Sequence, residues 1–116
     1  MINENFELDN ITDELSRSAK HLFGDRLRKI ILYGSYARGD YNKDSDLDIM
    51  ILADIDESDK STLETQICKI ASSTSLEHDI TVCILLRDEQ VFNDRIPILP
   101  FYRNIATDGV EIYGVE

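Results

Sequence analysis

The chain has 116 residues, a length that fits one domain with an ordinary hydrophobic core, so we treat residues 1–116 as a single domain. Its formal net charge of −11 argues against direct nucleic-acid binding, because phosphate contacts need a basic surface. No leader opens the chain and no apolar run approaches the ~20 residues of a membrane span, so we expect a cytoplasmic protein without a membrane anchor.

The first third of the chain predicts a helix, a strand and a sharp turn. Apolar residues at spacings of three and four predict a helix over residues 8–22, and Gly24 is suited to follow its end. A continuous, largely β-branched apolar run predicts a first strand over residues 26–33. Gly34–Ser35 then turns the chain, and a short helical turn is expected over residues 36–38.

The middle third predicts two further strands separated by a helix. The second strand covers residues 46–52, and a helix with an apolar stripe follows over residues 63–76. The third strand is predicted over residues 78–86. Because strand side chains alternate, Asp79 and Cys83 are expected on the same face of it.

The last third has a weaker pattern, since Pro97 and Pro100 interrupt it. A helix over residues 101–107 and a short edge segment over residues 110–113 are expected. The order helix, strand, strand, helix, strand, helix predicts a mixed α/β or α+β fold, with helices packed on a small sheet.

Two cysteines, Cys68 and Cys83, each stand alone in an apolar pattern. Their spacing is not that of a metal site. We expect both to be buried free thiols in a reducing compartment.

Asp46 and Asp48 stand two apart at the start of the second predicted strand. Residues at this spacing project from one face of a strand with Cα atoms ~6.5 Å apart, so both carboxylates can reach one divalent ion or bridge a pair ~3.5–4 Å apart. Carboxylates suit Mg²⁺ or Mn²⁺, and the absence of a His/Cys cluster argues against zinc. The structural alternative is a solvated first turn of a strand.

Two further features, a Gly-Ser turn and a third aspartate, can belong to the same site as this pair. Gly34 and Ser35 form a turn whose backbone N–H groups and hydroxyl can hold phosphate oxygens, although Gly-Ser is also a common turn. Asp79 opens the third predicted strand. If that strand lies beside the second, its carboxylate can reach the same site and ligate a metal or accept a proton. The alternative is a solvated aspartate at a strand end.

The whole pattern is Gly34-Ser35, ten residues, Asp46-x-Asp48 on a strand, a helix, and a strand that starts with Asp79. It resembles the polymerase-β-type nucleotidyltransferase superfamily, and most closely its minimal MNT branch. The resemblance covers nearly the whole chain.

The resemblance implies a site and a reaction. Asp46, Asp48 and Asp79 would be catalytic ligands of two Mg²⁺ ions, with Mn²⁺ as an alternative. Gly34 and Ser35 would hold the β- and γ-phosphates of ATP, and an acceptor hydroxyl would attack the α-phosphorus, which releases pyrophosphate. Arg38 and Lys43 are further candidates for phosphate contacts, with solvated loop charges as the alternative reading.

The resemblance also implies a partner. Relatives that modify antibiotics or tRNA carry an added helical domain for the acceptor, whereas this chain ends at Glu116. We therefore expect another chain, a small helical HEPN ribonuclease toxin, to present a tyrosine for AMPylation, with this protein as its antitoxin. Two alternatives stay open: a small-molecule adenylyltransferase completed by a partner subunit, and a non-catalytic partner-binding module of the same fold. A homo-oligomer also stays open.

Overall fold

The computed structural model describes residues 4–114, with side chains from residue 7 onwards. In that range the chain forms, in order, α1 (Glu4–Phe23), a 3-10 turn (Gly24–Arg26), β1 (Leu27–Tyr33), α2 (Ser35–Arg38), β2 (Leu47–Ala53), α3 (Lys60–His78), β3 (Val82–Asp88), α4 (Glu89–Arg95), α5 (Pro100–Asp108) and β4 (Val110–Gly114). No helix in this range is both long and apolar enough to cross a membrane.

The four strands form one mixed sheet in the order β3-β2-β1-β4. β1 pairs antiparallel with β2 and with β4, whereas β2 and β3 run parallel. A parallel pair needs a long crossover, and α3 supplies it. The predicted mixed α/β fold with helices on a small sheet is therefore confirmed.

One face of the sheet is covered by α1 and α3. Alternate residues of β2 point into this layer, and Ile49 and Ile51 are at most 1% exposed there. The helices contribute the apolar residues that their spacing of three and four brings to one side: Ile11, Leu15, Ala19, Phe23, Leu63 and Ile67. Full burial of each of the larger side chains in this set stabilises the fold by roughly 1.5–3 kcal/mol.

The opposite face is covered by α4 and α5. Met50 and Leu52 of β2 are buried there against Phe92, Tyr102 and Ile105. The Arg87 Nε donates a hydrogen bond of 2.9 Å to the Tyr102 hydroxyl, which ties β3 to α5. The amino end of β2 projects Asp48 on this same face, and that side chain is only partly buried.

The third strand begins four residues later than predicted, at Val82 instead of His78. The reason is that α3 continues through His78 and ends on Asp79, whose backbone is left-handed with φ 53°. The hydroxyl of Ser75 accepts the N–H of Val82 at 2.9 Å, which fixes where the helix stops and the strand starts. The first helix and the first two strands agree with the prediction to within a few residues.

The helix α4 was not predicted. Asp88 is its N-cap, because its Oδ2 accepts the Val91 N–H at 3.1 Å. Both cysteines are free, as expected, but Cys68 is exposed and Cys83 only partly buried. The expectation that Cys68 is buried is wrong because the core-facing side of α3 is formed by Leu63 and Ile67 instead.

Candidate active site

A row of three paired residues crosses the amino end of β2. Asp48 pairs with Tyr33 on the antiparallel strand β1 and with Cys83 on the parallel strand β3. Side chains of directly paired residues on neighbouring strands point to the same side of a sheet. A phenol, a carboxylate and a thiol therefore lie side by side on the face that α4 and α5 only partly cover.

Gly34 lies directly against this row. Its backbone has φ 75° and ψ −154°, a region that side chains avoid, and a Cβ at this position would collide with the Asp48 carboxylate. Ser35 begins α2 immediately after it, and the N–H groups of Ala37 and Arg38 both donate to the Gly34 carbonyl at 3.1 Å. The structure thus brings the predicted Gly-Ser turn against Asp48, one of the two predicted carboxylates.

The electrostatics of the row show how closely its groups interact. Burial, and then the neighbouring Asp46 carboxylate, raise the pKa of Asp48, while Arg38 lowers it. Burial and both carboxylates raise the pKa of the Cys83 thiol. Burial, followed by Asp48, raises the pKa of Tyr33 to about 12. The partly buried Asp48 carboxylate therefore has a like-charged, exposed neighbour in Asp46, an arrangement that a cation would stabilise.

A cleft of about 240 Å³ opens beside the row, between α2 and α5. Arg38 borders it, and the Arg38 Nε pairs with Asp40 at 3.3 Å in an exposed position. Phe101 meets Tyr33 edge to face, with ring centroids 5.9 Å apart. The other lining residues are Gly34, Ala37, Asn104, Ile105 and Asp108.

Asp79 does not lie where the sequence predicted. It is exposed at the end of α3 and borders surface grooves with residues of α1 and of the loop that precedes β2. α3 packs on the face of the sheet opposite to Asp48. The predicted placement at the start of β3 is therefore wrong, and the β3 residue beside Asp48 is Cys83. Sequence reasoning gave Cys83 no role, although strand alternation had put it on the same face as Asp79.

Lys43 also lies apart from the cleft. It is exposed and borders the grooves that contain Asp79, whereas Gly34 and Arg38 border the cleft between α2 and α5. Of the two basic candidates, the structure thus brings Arg38 toward the Asp pair. Lys43 is placed with the end of α3.

A second titratable cluster joins α1 to α3. The His78 Nε2 lies 2.7 Å from the Glu14 Oε2, and a Glu77 oxygen lies 4.0 Å from the same ring nitrogen. The hydrogen bond with His78 is the main cause that lowers the pKa of Glu14. No local pattern in the sequence indicates this contact, because Glu14 and His78 are 64 positions apart.

Residues 12–108 match the nucleotidyltransferase domain family. Two provisionally named protein adenylyltransferases of Methanocaldococcus jannaschii are similar to this chain. One is 32% identical over 100 residues, which are 86% of this chain and 92% of the relative. The other is 34% identical over 110 residues, which are 95% of this chain and 98% of the relative.

Solved structures share the fold. A structure described as a toxin–antitoxin with AMP-PNP matches with a TM-score of 0.61 and 18% identity, over 90% of this chain and 74% of that chain. A tri-AMPylated HEPN toxin of Shewanella oneidensis in complex with MNT antitoxin matches with a TM-score of 0.55 and 16% identity, over 92% of this chain and 72% of that chain. The motif, its geometry and the family match agree: the chain belongs to the nucleotidyltransferase domain family and is a nucleotidyltransferase.

Proposed function

We propose that this nucleotidyltransferase transfers AMP from ATP to a tyrosine hydroxyl of a helical HEPN-type toxin, and so acts as its antitoxin in the cytoplasm. The observation that supports this most is the contact between the Gly34 turn and the Asp48 carboxylate. This contact brings the Gly34 turn against one carboxylate of the Asp46–Asp48 pair, and a turn with backbone N–H groups beside paired carboxylates suits nucleotidyl transfer from a metal-bound triphosphate.

The residues at this site fit a hard divalent cation. Asp46 and Asp48 offer oxygen donors, and the raised pKa of Asp48 reflects burial and a like-charged neighbour that a cation would offset. We assign both carboxylates as ligands of Mg²⁺, as two ions, with Mn²⁺ as the alternative. When bound, the metal neutralises and orients the triphosphate.

The remaining work falls to groups around the Gly34 turn. Because Gly34 has no side chain, phosphate oxygens can approach its backbone closely. The Ser35 hydroxyl is a donor for the β- or γ-phosphate, and Arg38 adds a positive charge at the border of the cleft. The acceptor hydroxyl oxygen bonds to the α-phosphorus in line, the bond from that phosphorus to the β-phosphate oxygen breaks, pyrophosphate leaves, and the hydroxyl proton passes to solvent. Catalysis is then mainly positioning and charge stabilisation.

A protein acceptor is supported by the relatives and by the surface beside the cleft. The similar proteins of M. jannaschii carry the name protein adenylyltransferase, and the structural neighbours include toxin–antitoxin complexes. Phe101 borders the cleft and is 47% exposed, and Ile98 nearby in the chain is 72% exposed. Exposed apolar side chains next to a reaction site suit contact with another protein. The net charge of −11 suits a basic ribonuclease.

The test is AMP transfer in a defined mixture. The purified protein is incubated with labelled ATP, Mg²⁺ and the product of the neighbouring reading frame, and label on a tyrosine of that product is measured by mass spectrometry. We expect transfer by the natural chain and by Asp44→Asn, an exposed aspartate of the preceding loop that serves as the matched control. Asp48→Asn should transfer almost none.

Other outcomes point to the alternatives. Pyrophosphate release that depends on an aminoglycoside, without any protein acceptor, would favour a small-molecule adenylyltransferase. Failure of the natural chain to bind ATP with Mg²⁺ would favour a non-catalytic partner-binding module.

A further inference from the structure

We propose that the thiol of Cys83 is the third metal-facing side chain of this site, and that it shifts the metal preference toward thiophilic divalent cations such as Cd²⁺ and Zn²⁺. The inference rests on the proposed role of Asp46 and Asp48 as metal ligands. In this inference the third ligand is the Cys83 thiol, instead of the Asp79 carboxylate that the sequence pattern predicts.

Strand register places Cys83 next to the carboxylates. Asp48 and Cys83 are direct partners in the parallel pair β2–β3, so their side chains emerge on one face from strands about 4.8 Å apart. Two positions further along β3 on this face, Leu85 packs against the apolar core under α4 and α5. Cys83 is thus the side chain of β3 that lies level with the Asp pair.

The environment of Cys83 agrees with this placement. Its side chain is partly buried instead of sealed in the core, so an ion can reach it. Cys83 and Tyr33 flank Asp48 on the two neighbouring strands, so the three side chains lie in one row.

The donor set has a chemical consequence. A set of two carboxylates and one thiol offers fewer hard oxygen donors than three carboxylates do. Thiolate sulfur favours Cd²⁺ and Zn²⁺ over Mg²⁺. A metal-bound thiol releases its proton to solvent. In the described residues, three ligand atoms within 4.8 Å of one another occur at Glu14, Glu77 and His78 and not at this row. The side chains of the row therefore have to rotate toward a bound ion.

Cadmium titration tests the inference without any turnover. The full chain carrying Cys68→Ser keeps Cys83 as its one thiol, and the chain carrying Cys83→Ser keeps the exposed Cys68. We expect the ultraviolet Cd–thiolate absorption to saturate at low Cd²⁺ in the first chain only. Adding Asp48→Asn to that first chain should weaken its Cd²⁺ affinity about tenfold or more, because a shared ligand is lost. Circular dichroism verifies that each variant is folded.

A second variant tests the metal preference. Cys83→Asp should tighten Mg²⁺ binding about tenfold, measured by competition with Mn²⁺ in electron paramagnetic resonance, since a third hard donor is added. The inference is overturned if Cd²⁺ binding by Cys83 is indifferent to Asp48→Asn, or if Cys83→Asp leaves Mg²⁺ affinity unchanged. A third outcome separates the inference from the proposed function. If Asp48→Asn loses Mn²⁺ binding but Cys83 gives no Cd–thiolate band, the role of Cys83 is refuted and the proposed function still stands.

Discussion

The two faces of β2 differ in how completely helices cover them. On one face, Ile49 and Ile51 are sealed beneath α1 and α3 and are at most 1% exposed. On the other face, Met50 is buried but Asp48, at the amino end, is left partly open because α4 and α5 stop short of it. One strand therefore contributes buried apolar packing from one side and a partly exposed carboxylate from the other, and the two can be changed separately.

The largest effect is expected from removing a carboxylate of the proposed metal site. Asp46→Asn or Asp48→Asn should lower the rate of AMP transfer roughly 10²–10³-fold, equivalent to about 3–4 kcal/mol of lost transition-state stabilisation. The chain should stay folded, because neither side chain contributes to the apolar core. Single-turnover rates with the acceptor protein measure this effect, and a rate within a factor of two of the natural chain would contradict the assignment.

On the sealed face, a substitution should act on stability instead. Ile49→Ala should lower the free energy of unfolding by about 2–5 kcal/mol, because it removes buried methyl groups and leaves a cavity. Urea denaturation measures this value. The fraction that remains folded should still bind ATP with Mg²⁺. A specific loss of nucleotide binding in that fraction would contradict the claim that the two faces of β2 can be changed separately.

Gly34→Ala should lower both the stability of the fold and the affinity for ATP. The backbone at φ 75° is strained by any side chain, at a cost of about 1–3 kcal/mol, and the new methyl group meets the Asp48 carboxylate. We expect a lower melting temperature together with weaker ATP binding by calorimetry. Gly39→Ala is the matched control, since Gly39 also has a positive φ of 83° but no heavy atom lies near its added Cβ. Equal losses of ATP affinity in both variants would show that backbone strain alone is responsible.

Asp88→Ala should have a smaller, purely structural effect. The Asp88 carboxylate caps α4 through Val91 and also accepts the N–H of Ile55 at 3.0 Å. Loss of the cap should cost about 1 kcal/mol of stability. Thermal unfolding monitored by circular dichroism checks this value, and the rate of AMP transfer by the folded protein should change little.

The smallest effect is a gain of stability in Asp48→Asn near neutral pH. Burial and Asp46 raise the folded-state pKa of Asp48, so folding favours the protonated form of this carboxyl group. The stability that the protonated group contributes is fully present below the unfolded-state pKa and is lost as the pH rises through the folded-state pKa. Near neutral pH the asparagine variant should therefore melt slightly higher than the natural chain in the absence of metal. Solvent screening keeps the gain small. The difference should shrink as the pH falls toward 4, and a constant difference would exclude this cause.

The sequence predicted the parts of this site that are local in the chain. The spacing from Gly34 to Asp48, and the apolar run that follows, were enough to predict a turn beside the strand that carries Asp48, whereas Asp46 lies just before that strand. Each of these inferences depends on alternation or on a single backbone requirement, which short stretches of sequence encode directly.

Which residue of β3 lies beside Asp48 could not be predicted, because it depends on contacts between residues that are distant in the sequence. Whether residues 78–81 form helix, turn or strand is decided by where α3 ends. That end is held by the contact of His78 with Glu14 of α1 and by the hydrogen bond from the Val82 N–H to Ser75. The sequence pattern shows neither contact, so Asp79 was assigned to a strand that starts only after it.

The most direct test of the central claim is Mn²⁺ binding to the natural chain, to Asp48→Asn and to Asp79→Asn, followed by electron paramagnetic resonance. If Asp46 and Asp48 form the metal site on the open face of β2, the natural chain and Asp79→Asn bind Mn²⁺ with similar affinity and Asp48→Asn loses binding. Unchanged binding in Asp48→Asn would contradict the account, as would loss of binding in Asp79→Asn alone.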